Sequence, residues 1–399
     1  MKKATHYTLI LLFSIISGLE AQNGPNLTDH ILNIDDLNDP AFVQLMKNKL
    51  TNSQFVFVGE QHGIKEAAVV TNSFYNLGQA FGYNTLCIET DELAADQVRS
   101  IAATGDFTSG FRKLYSEYPF TIPFYNNEDD HFLFENVHKK NGAIWGIDQT
   151  FITQFRLNLD LLAKGTGNRK FKKKLEELKA LADAAYNEAI ETKNFQAPYL
   201  FKYDKATHDE LMELAISTDE KETVEQLWKT KVIYEHNSAK RYYQNNQVRG
   251  RLMKSNFMRY YRAAEKAGTF PKVVFKLGAN HAAMGRTRTN IYDISSLGHE
   301  LAISNDLRSI HVAVLGIKGE AATGNPFAPS PTMPFDNTNQ LPEELKELVA
   351  NSTKKYFVLN LEPLRDYGYG KRFSEDFKSS LFGYDLLILV NDAEAVRSF

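Results

Sequence analysis

The 399-residue sequence contains one cysteine, Cys87, so no intrachain disulfide can form. Cys87 sits in the apolar run 85–88, where a lone thiol reads as buried packing rather than as a nucleophile. A Gly-x-Ser-x-Gly elbow is also missing, which leaves a serine nucleophile without a candidate. Charge of one sign is not in surplus: 46 Lys and Arg stand against 49 Asp and Glu, for a formal net charge of −3. Nothing therefore draws the whole molecule toward nucleic acid or an anionic membrane surface. After the N-terminal segment no run approaches the roughly 20 apolar residues of a membrane-spanning helix, and no repeat of solenoid period is present.

What is there begins with an export pattern. Lys2 and Lys3 precede an apolar run at 9–16, followed by Ser17, Gly18 and Ala21. This reads as a secretory signal peptide over 1–21, leaving a mature chain of 22–399 that is periplasmic or extracellular. No cysteine lies near the cleavage point to carry a lipid. With 43% hydrophobic and 24% charged residues, the mature chain is globular in composition and long enough to bury a large core.

Short apolar, β-branched or aromatic runs recur at 54–58, 85–88, 143–147, 273–277, 311–317, 356–361 and 385–390. Most are apolar on both faces and are separated by stretches long enough for helical crossovers. The expected fold is α/β, a mostly parallel central sheet flanked by helices. Between 168 and 268 the sequence turns rich in Lys, Glu, Ala and Leu, which predicts a helical insertion or cap with helices over 169–189 and 223–265. The five prolines of 325–342 exclude a regular helix or central strand there and read as a surface loop.

Open α/β sheets bind ligands just beyond the carboxyl ends of their strands, so the residues following each run are the ones to read. They are Glu60 and His62 with Glu66 farther on, then Glu89, Asp148, and Asn280 with His281. Their convergence would gather two imidazoles and several carboxylates, the inventory of a general acid/base site or of a divalent metal site. Gly-x-x-His occurs twice in this setting, at Gly59–His62 and Gly278–His281, and the other mature-chain histidines lack it. Asp91 and Glu92 read as helix-start residues, and Asp148 reads equally as a cap or turn residue. Arg249, Met253 and Asn256 share one helix face, from which Arg249 would hold a substrate carboxylate or carbonyl or fix a glutamate, or form a plain surface ion pair.

Taken in order, Gly59-Glu60-Gln61-His62-Gly63 with Glu66, Ile88-Glu89, Gly146-Ile147-Asp148, Arg249 with Met253 and Asn256, and Ala279-Asn280-His281 resemble the erythromycin esterase-like family. More broadly they resemble the superfamily joining it to the haem-uptake ChaN-like lipoproteins and the Tiki metalloproteases. The resemblance runs from Asn52 to the C-terminus and is thinnest in the helical middle. It implies a hydrolytic site in which His62 activates water with help from Glu60 or Glu89, while His281 and Arg249 bind or polarise the carbonyl. Glu66, Asp148, Asn256 and Asn280 would bind substrate or support these groups. Two features depart from the esterase pattern: Glu60 and His62 are one residue closer, as in the ChaN-like branch, and Gly250 stands where the esterases have Asp.

The expected function is a secreted hydrolase that cleaves a small-molecule ester or lactone, or a peptide bond, by water attack without a covalent intermediate. It would need no cofactor, or a divalent metal ion held by His62, His281 and Glu89. The alternative is a binding protein for haem or a related ligand in a cell-envelope uptake system, since Tyr and His ligate haem iron and the chain has 19 Tyr.

Overall fold

The computed structural model describes residues 26–325, 328 and 330–399. The expected signal peptide lies outside the described residues. Among the described residues ten strands form: β1 (Ile31–Ile34), β2 (Ser53–Glu60), β3 (Thr85–Ile88), β4 (Ala143–Gly146), β5 (Val273–Gly278), β6 (Arg308–Gly316), β7 (Lys318–Ala322), β8 (Thr332–Asp336), β9 (Tyr356–Asn360) and β10 (Leu386–Val390). Eight make one sheet in the order β1-β9-β10-β6-β2-β5-β3-β4, while β7 and β8 form a separate antiparallel pair. In the large sheet only β9 runs against its neighbours, so the sheet is mostly parallel, as strands apolar on both faces require. All seven expected strands form, with ends shifted by at most three residues.

The helices before the cap are α1 (Pro40–Thr51), α2 (Lys65–Gly78), α3 (Glu92–Ala103), α4 (Phe107–Glu117) and α5 (Glu128–Lys139). Next come α6 (Phe155–Gly165), α7 (Arg169–Thr192), α8 (Lys205–Leu214), α9 (Thr218–Ser238) and α10 (Tyr242–Lys266). Four more follow β5: α11 (Ala279–Ala282), α12 (Ile294–Ser304), α13 (Glu343–Ala350) and α14 (Glu375–Gly383).

Period-two alternation in the buried strands sorts side chains into two layers. Val56 and Val58 of β2 join Leu86, Ile88 and Val274 in a core with Phe42, Phe74 and Phe134 of α1, α2 and α5. Phe55 and Phe57 point the other way, into a core with Phe275, Phe257 and Tyr261 that seats α10 on the opposite face. A separate cluster holds the cap together: Phe155 and Leu159 of α6, Phe171 and Leu175 of α7, Leu211 of α8, and Val224 and Leu227 of α9. Helix α10 ties the two parts, because it packs along α9 and its Phe257 lies on the sheet.

Three local readings differ from the structure. The single helix expected over 223–265 is two, α9 and α10, broken where Lys240 takes a left-handed φ of 58° and turns the chain back on itself. Within the proline stretch, β8 forms around Pro334, but it pairs only with β7, the edge position where a residue without an N–H is tolerated. The four-residue edge strand β1 carries no apolar run long enough to announce it.

Candidate active site

Strands β2, β5, β3 and β4 are neighbours in the sheet, so the residues leaving their carboxyl ends meet at one place. Strand β5, late in sequence, is inserted between β2 and β3, and on its other side β2 pairs with β6. The polar ends of four strands thus line one crevice, where α/β sheets bind ligands.

Glu60 ends β2 and is buried. Its Oε1 lies 2.9 Å from Nδ1 of His62, and its Oε2 lies 2.5 Å from Nζ of Lys276, which also reaches Asp130 at 3.0 Å. Burial alone would push the Glu60 carboxyl up, but the charges of Lys276 and His62 outweigh it and hold the group below its usual range. The Glu60 carboxylate orients the ring through Nδ1, which turns Nε2 of His62 toward Glu89. The His62 ring is one-third exposed and stacks on Phe124 at 3.8 Å between centroids. The next residue, Gly63, has a φ of 87°, and its carbonyl accepts from the N–H groups of Ala322 and Val396. Lys65 N–H donates to the Glu394 carbonyl, so the turn carrying His62 is clamped by β7 and by the last residues of the chain.

Glu89 is the hub. Its Oε1 accepts from Arg249 at 2.6 Å, and its Oε2 accepts the backbone N–H of Gly278 at 2.5 Å. Nε2 of His62 lies 4.0 Å from one oxygen, and Nε2 of His281 lies 3.6 Å from the other. Burial would raise this carboxyl, yet His281, Arg249, His62 and the Gly278 N–H together hold it at about 2. A Cβ on Gly278 would come within 2.9 Å of Nε2 of His62 and 3.4 Å of Oε2 of Glu89, so glycine is what lets this backbone N–H approach.

On the far side, Nδ1 of His281 lies 2.8 Å from Oδ2 of Asp293, the N-cap residue of α12. Burial works against the imidazolium, but Asp293 and Glu89 overcome it and raise the His281 pKa above its ordinary value. Arg249 projects from α10 and grips Asp148 through both Nε and Nη2 while holding Glu89. Asn256, two turns along the same face, donates to the Ile147 carbonyl at 2.9 Å and so holds the strand exit that presents Asp148.

The crevice thus brings together Glu60, His62, Glu89, Asp148, Arg249 and His281, with Asn256 behind them. Glu66 is turned elsewhere, to Lys355 at 2.6 Å and to the backbone N–H of Glu394. Asn280 is exposed on the rim of a neighbouring cavity. Asp91 caps α3 and accepts from Gln154 and Asn158. Sequence reasoning missed Lys276, Asp130, Asp293 and Phe124. Lys276 carried a signal, since it is the lone charge in the otherwise apolar strand Val-Val-Phe-Lys-Leu-Gly. Asp293 is a helix N-cap that also faces inward, and its local sequence announces only the cap.

A metal ion fits this donor set poorly. Both Glu89 oxygens already accept protein N–H groups, and the Arg249 guanidinium would face the cation at close range. Among the described residues, no group of three or more His, Cys, Asp or Glu side chains is arranged to hold one.

No protein-family model matches this sequence, and no curated protein matches it. Solved structures do. An erythromycin esterase variant in its open conformation superposes with a TM-score of 0.59 at 12% identity, over 91% of this chain and 98% of that one. A Bacillus cereus protein aligns with a TM-score of 0.58 at 13% identity, covering 94% of this chain and 97% of that one. A succinoglycan biosynthesis protein gives 0.56 at 13% identity, covering 93% and 96%. At such identities the likeness is one of fold: this chain shares the architecture of an erythromycin esterase across nearly its whole length.

Proposed function

We propose that the protein is a hydrolase of an ester or lactone that uses an imidazole-activated water and no metal ion. One observation carries the reading: two imidazoles face a single ionised carboxylate, Glu89, and each is fixed from behind by a carboxylate of its own. In this reading His62, the more exposed of the two rings, is the base, and His281, the more enclosed, is the cationic donor.

His62, with Nδ1 directed to Glu60, takes a proton from water at Nε2. The resulting hydroxide adds to the carbonyl carbon. His281, kept protonated by Asp293 and Glu89, donates from Nε2 to the oxyanion as it forms. Collapse breaks the bond to the leaving oxygen, which recovers the proton from His62, so ester and water become acid and alcohol. Arg249 acts as a positioning residue, since its guanidinium is spent on Asp148 and Glu89. The esterase fold supports the class of reaction, and the export pattern at 1–21 supports work outside the cytoplasm.

Purified mature protein should hydrolyse members of a panel of esters and lactones, and His62→Ala should lose that turnover while remaining folded. Activity should persist after dialysis against a chelator in protein assayed as metal-free. Turnover restored only by added Zn²⁺ or Mn²⁺ would replace the metal-free mechanism. No turnover under any condition would overturn the hydrolase reading.

A further inference from the structure

Beside the crevice, between the cap and the loops that follow β4 and β7, lies a cavity of about 350 Å³. Tyr186 and Ala189 of α7, Phe201, Tyr234 of α9, Ile152 and the ring of Phe124 form its walls. Among the described residues, no Lys, Arg, His, Asp or Glu side chain lines it. The Tyr234 hydroxyl is already engaged, accepting the Ile152 N–H at 3.1 Å.

Phe124 belongs to both places, walling the cavity while its ring stacks on His62. It arrives there on an unusual backbone: Phe120, Ile122 and Phe124 take φ values of 59°, 48° and 70°. Large and β-branched side chains avoid this left-handed region, and such strain persists where surrounding structure over-determines it, characteristically at ligand sites. Here the loop is held on both sides. Thr153 donates to the Phe120 carbonyl, the Ile122 N–H donates to Gln154, and Asn127 donates to the Phe124 carbonyl.

We propose that this cavity is the subsite for an uncharged, apolar arm of the substrate, an aliphatic chain or a single aromatic ring next to the scissile bond. The inference rests on the hydrolase reading for its reaction, though not for its binding. Its volume stands at the low end of the roughly 300–1,000 Å³ of small-molecule pockets, which suits one arm. The walls offer a charged arm only neutral groups such as Thr153, Gln196, Asn237, Ser238 and Thr323, with no opposite charge among the described residues to offset its lost hydration. Phe124, stacked on His62, is the wall that the arm shares with the reacting centre.

The test is titration with a neutral phenylnaphthylamine probe and with its sulfonated analogue, read by fluorescence. Wild type and His62→Ala should bind the neutral probe about tenfold or more tightly than Ala189→Trp, whose indole fills the cavity. Because Ala189 is buried within α7, Ser238→Trp, at the exposed end of α9, tests the same space with less risk to the fold. Equal affinity in wild type and both tryptophan variants would overturn the proposal, as would equal affinity for the sulfonated probe. Probe binding without ester turnover would keep the subsite and reject the hydrolase; turnover without probe binding would do the reverse.

Discussion

Single side chains decide the chemistry through their partners. Asp293 lies behind His281 and is the largest influence raising its pKa against burial. Asp293→Asn should lower the His281 pKa, read from its ring resonances by NMR, and should move the alkaline limb of the kcat profile to lower pH. An unmoved limb would remove His281 as the cationic donor. Lys276 is the buried cation between Glu60 and Asp130. Lys276→Met strands two buried carboxylates and should cost ~3–5 kcal/mol in urea denaturation, whereas the triple change with Glu60→Gln and Asp130→Asn should recover most of that loss. At this scale the sequence exposed the residues that follow strands, because backbone topology alone sends them into the crevice. It hid Asp293 and Asp130, which arrive from helix starts, where an acid is the ordinary cap or first-turn residue.

Among elements, the strands were legible and their exits were not fully so. Apolarity on both faces marks a covered strand, so 85–88 was readable to the residue. The φ values at Phe120, Ile122 and Phe124 leave no compositional trace, since nothing distinguishes a strained phenylalanine from an extended one. The break between α9 and α10 was likewise hidden, because Lys240 stands in sequence as helix-compatible as its flanks. Gly278 is where an exit can be tested. Gly278→Ala places a methyl group against His62 and Glu89, and should cut kcat by about 10²-fold through misplacement of the imidazole. The melting temperature should change little, which separates this loss from unfolding. Gly63→Ala faces a harder obstacle, a left-handed φ of 87° with the Ala322 carbonyl oxygen 2.2 Å from the new methyl carbon, and should destabilise by more than ~1 kcal/mol.

For the whole molecule, the fold class was readable because covered strands alternate with helical stretches, but the strand order was not. Periodicity is blind to the insertion of β5 between β2 and β3, and that insertion brings His281 beside Glu89. Stability should follow the same charges. Glu89 and Glu362 are both held at about 2 in the fold against an ordinary 4.5, so their contribution is present above pH 4.5 and is lost as pH falls toward 2. His281 has the opposite sign: raised above 6.5, its contribution is complete below that value and is lost as pH rises through the folded pKa. Asp130, raised to about 6, also favours the acidic side of neutrality. Burial acts oppositely on His131 and His311, held at about 2 and about 4, so both lose stability as pH falls below 6.5. Thermal melts should therefore peak near pH 6.5, and a melting temperature still climbing well past neutrality would contradict these assignments. Cys87, buried and with its thiol pushed up by desolvation, should ignore both reductant and thiol reagents until the protein unfolds.

The clamp on the turn after His62 sets an order of events in time. Lys65 and Glu394, whose side chains pair and whose backbones bond across it, stand 329 positions apart. A chain emerging residue by residue completes β2 early and then waits for Glu394, 329 positions beyond Lys65, before the turn can be locked. Closing so long a loop comes late in refolding as well. Catalytic competence should therefore trail the recovery of helical signal, and a nascent chain that stops short of Glu394 should carry its base on an unlocked hinge, inert until that residue emerges.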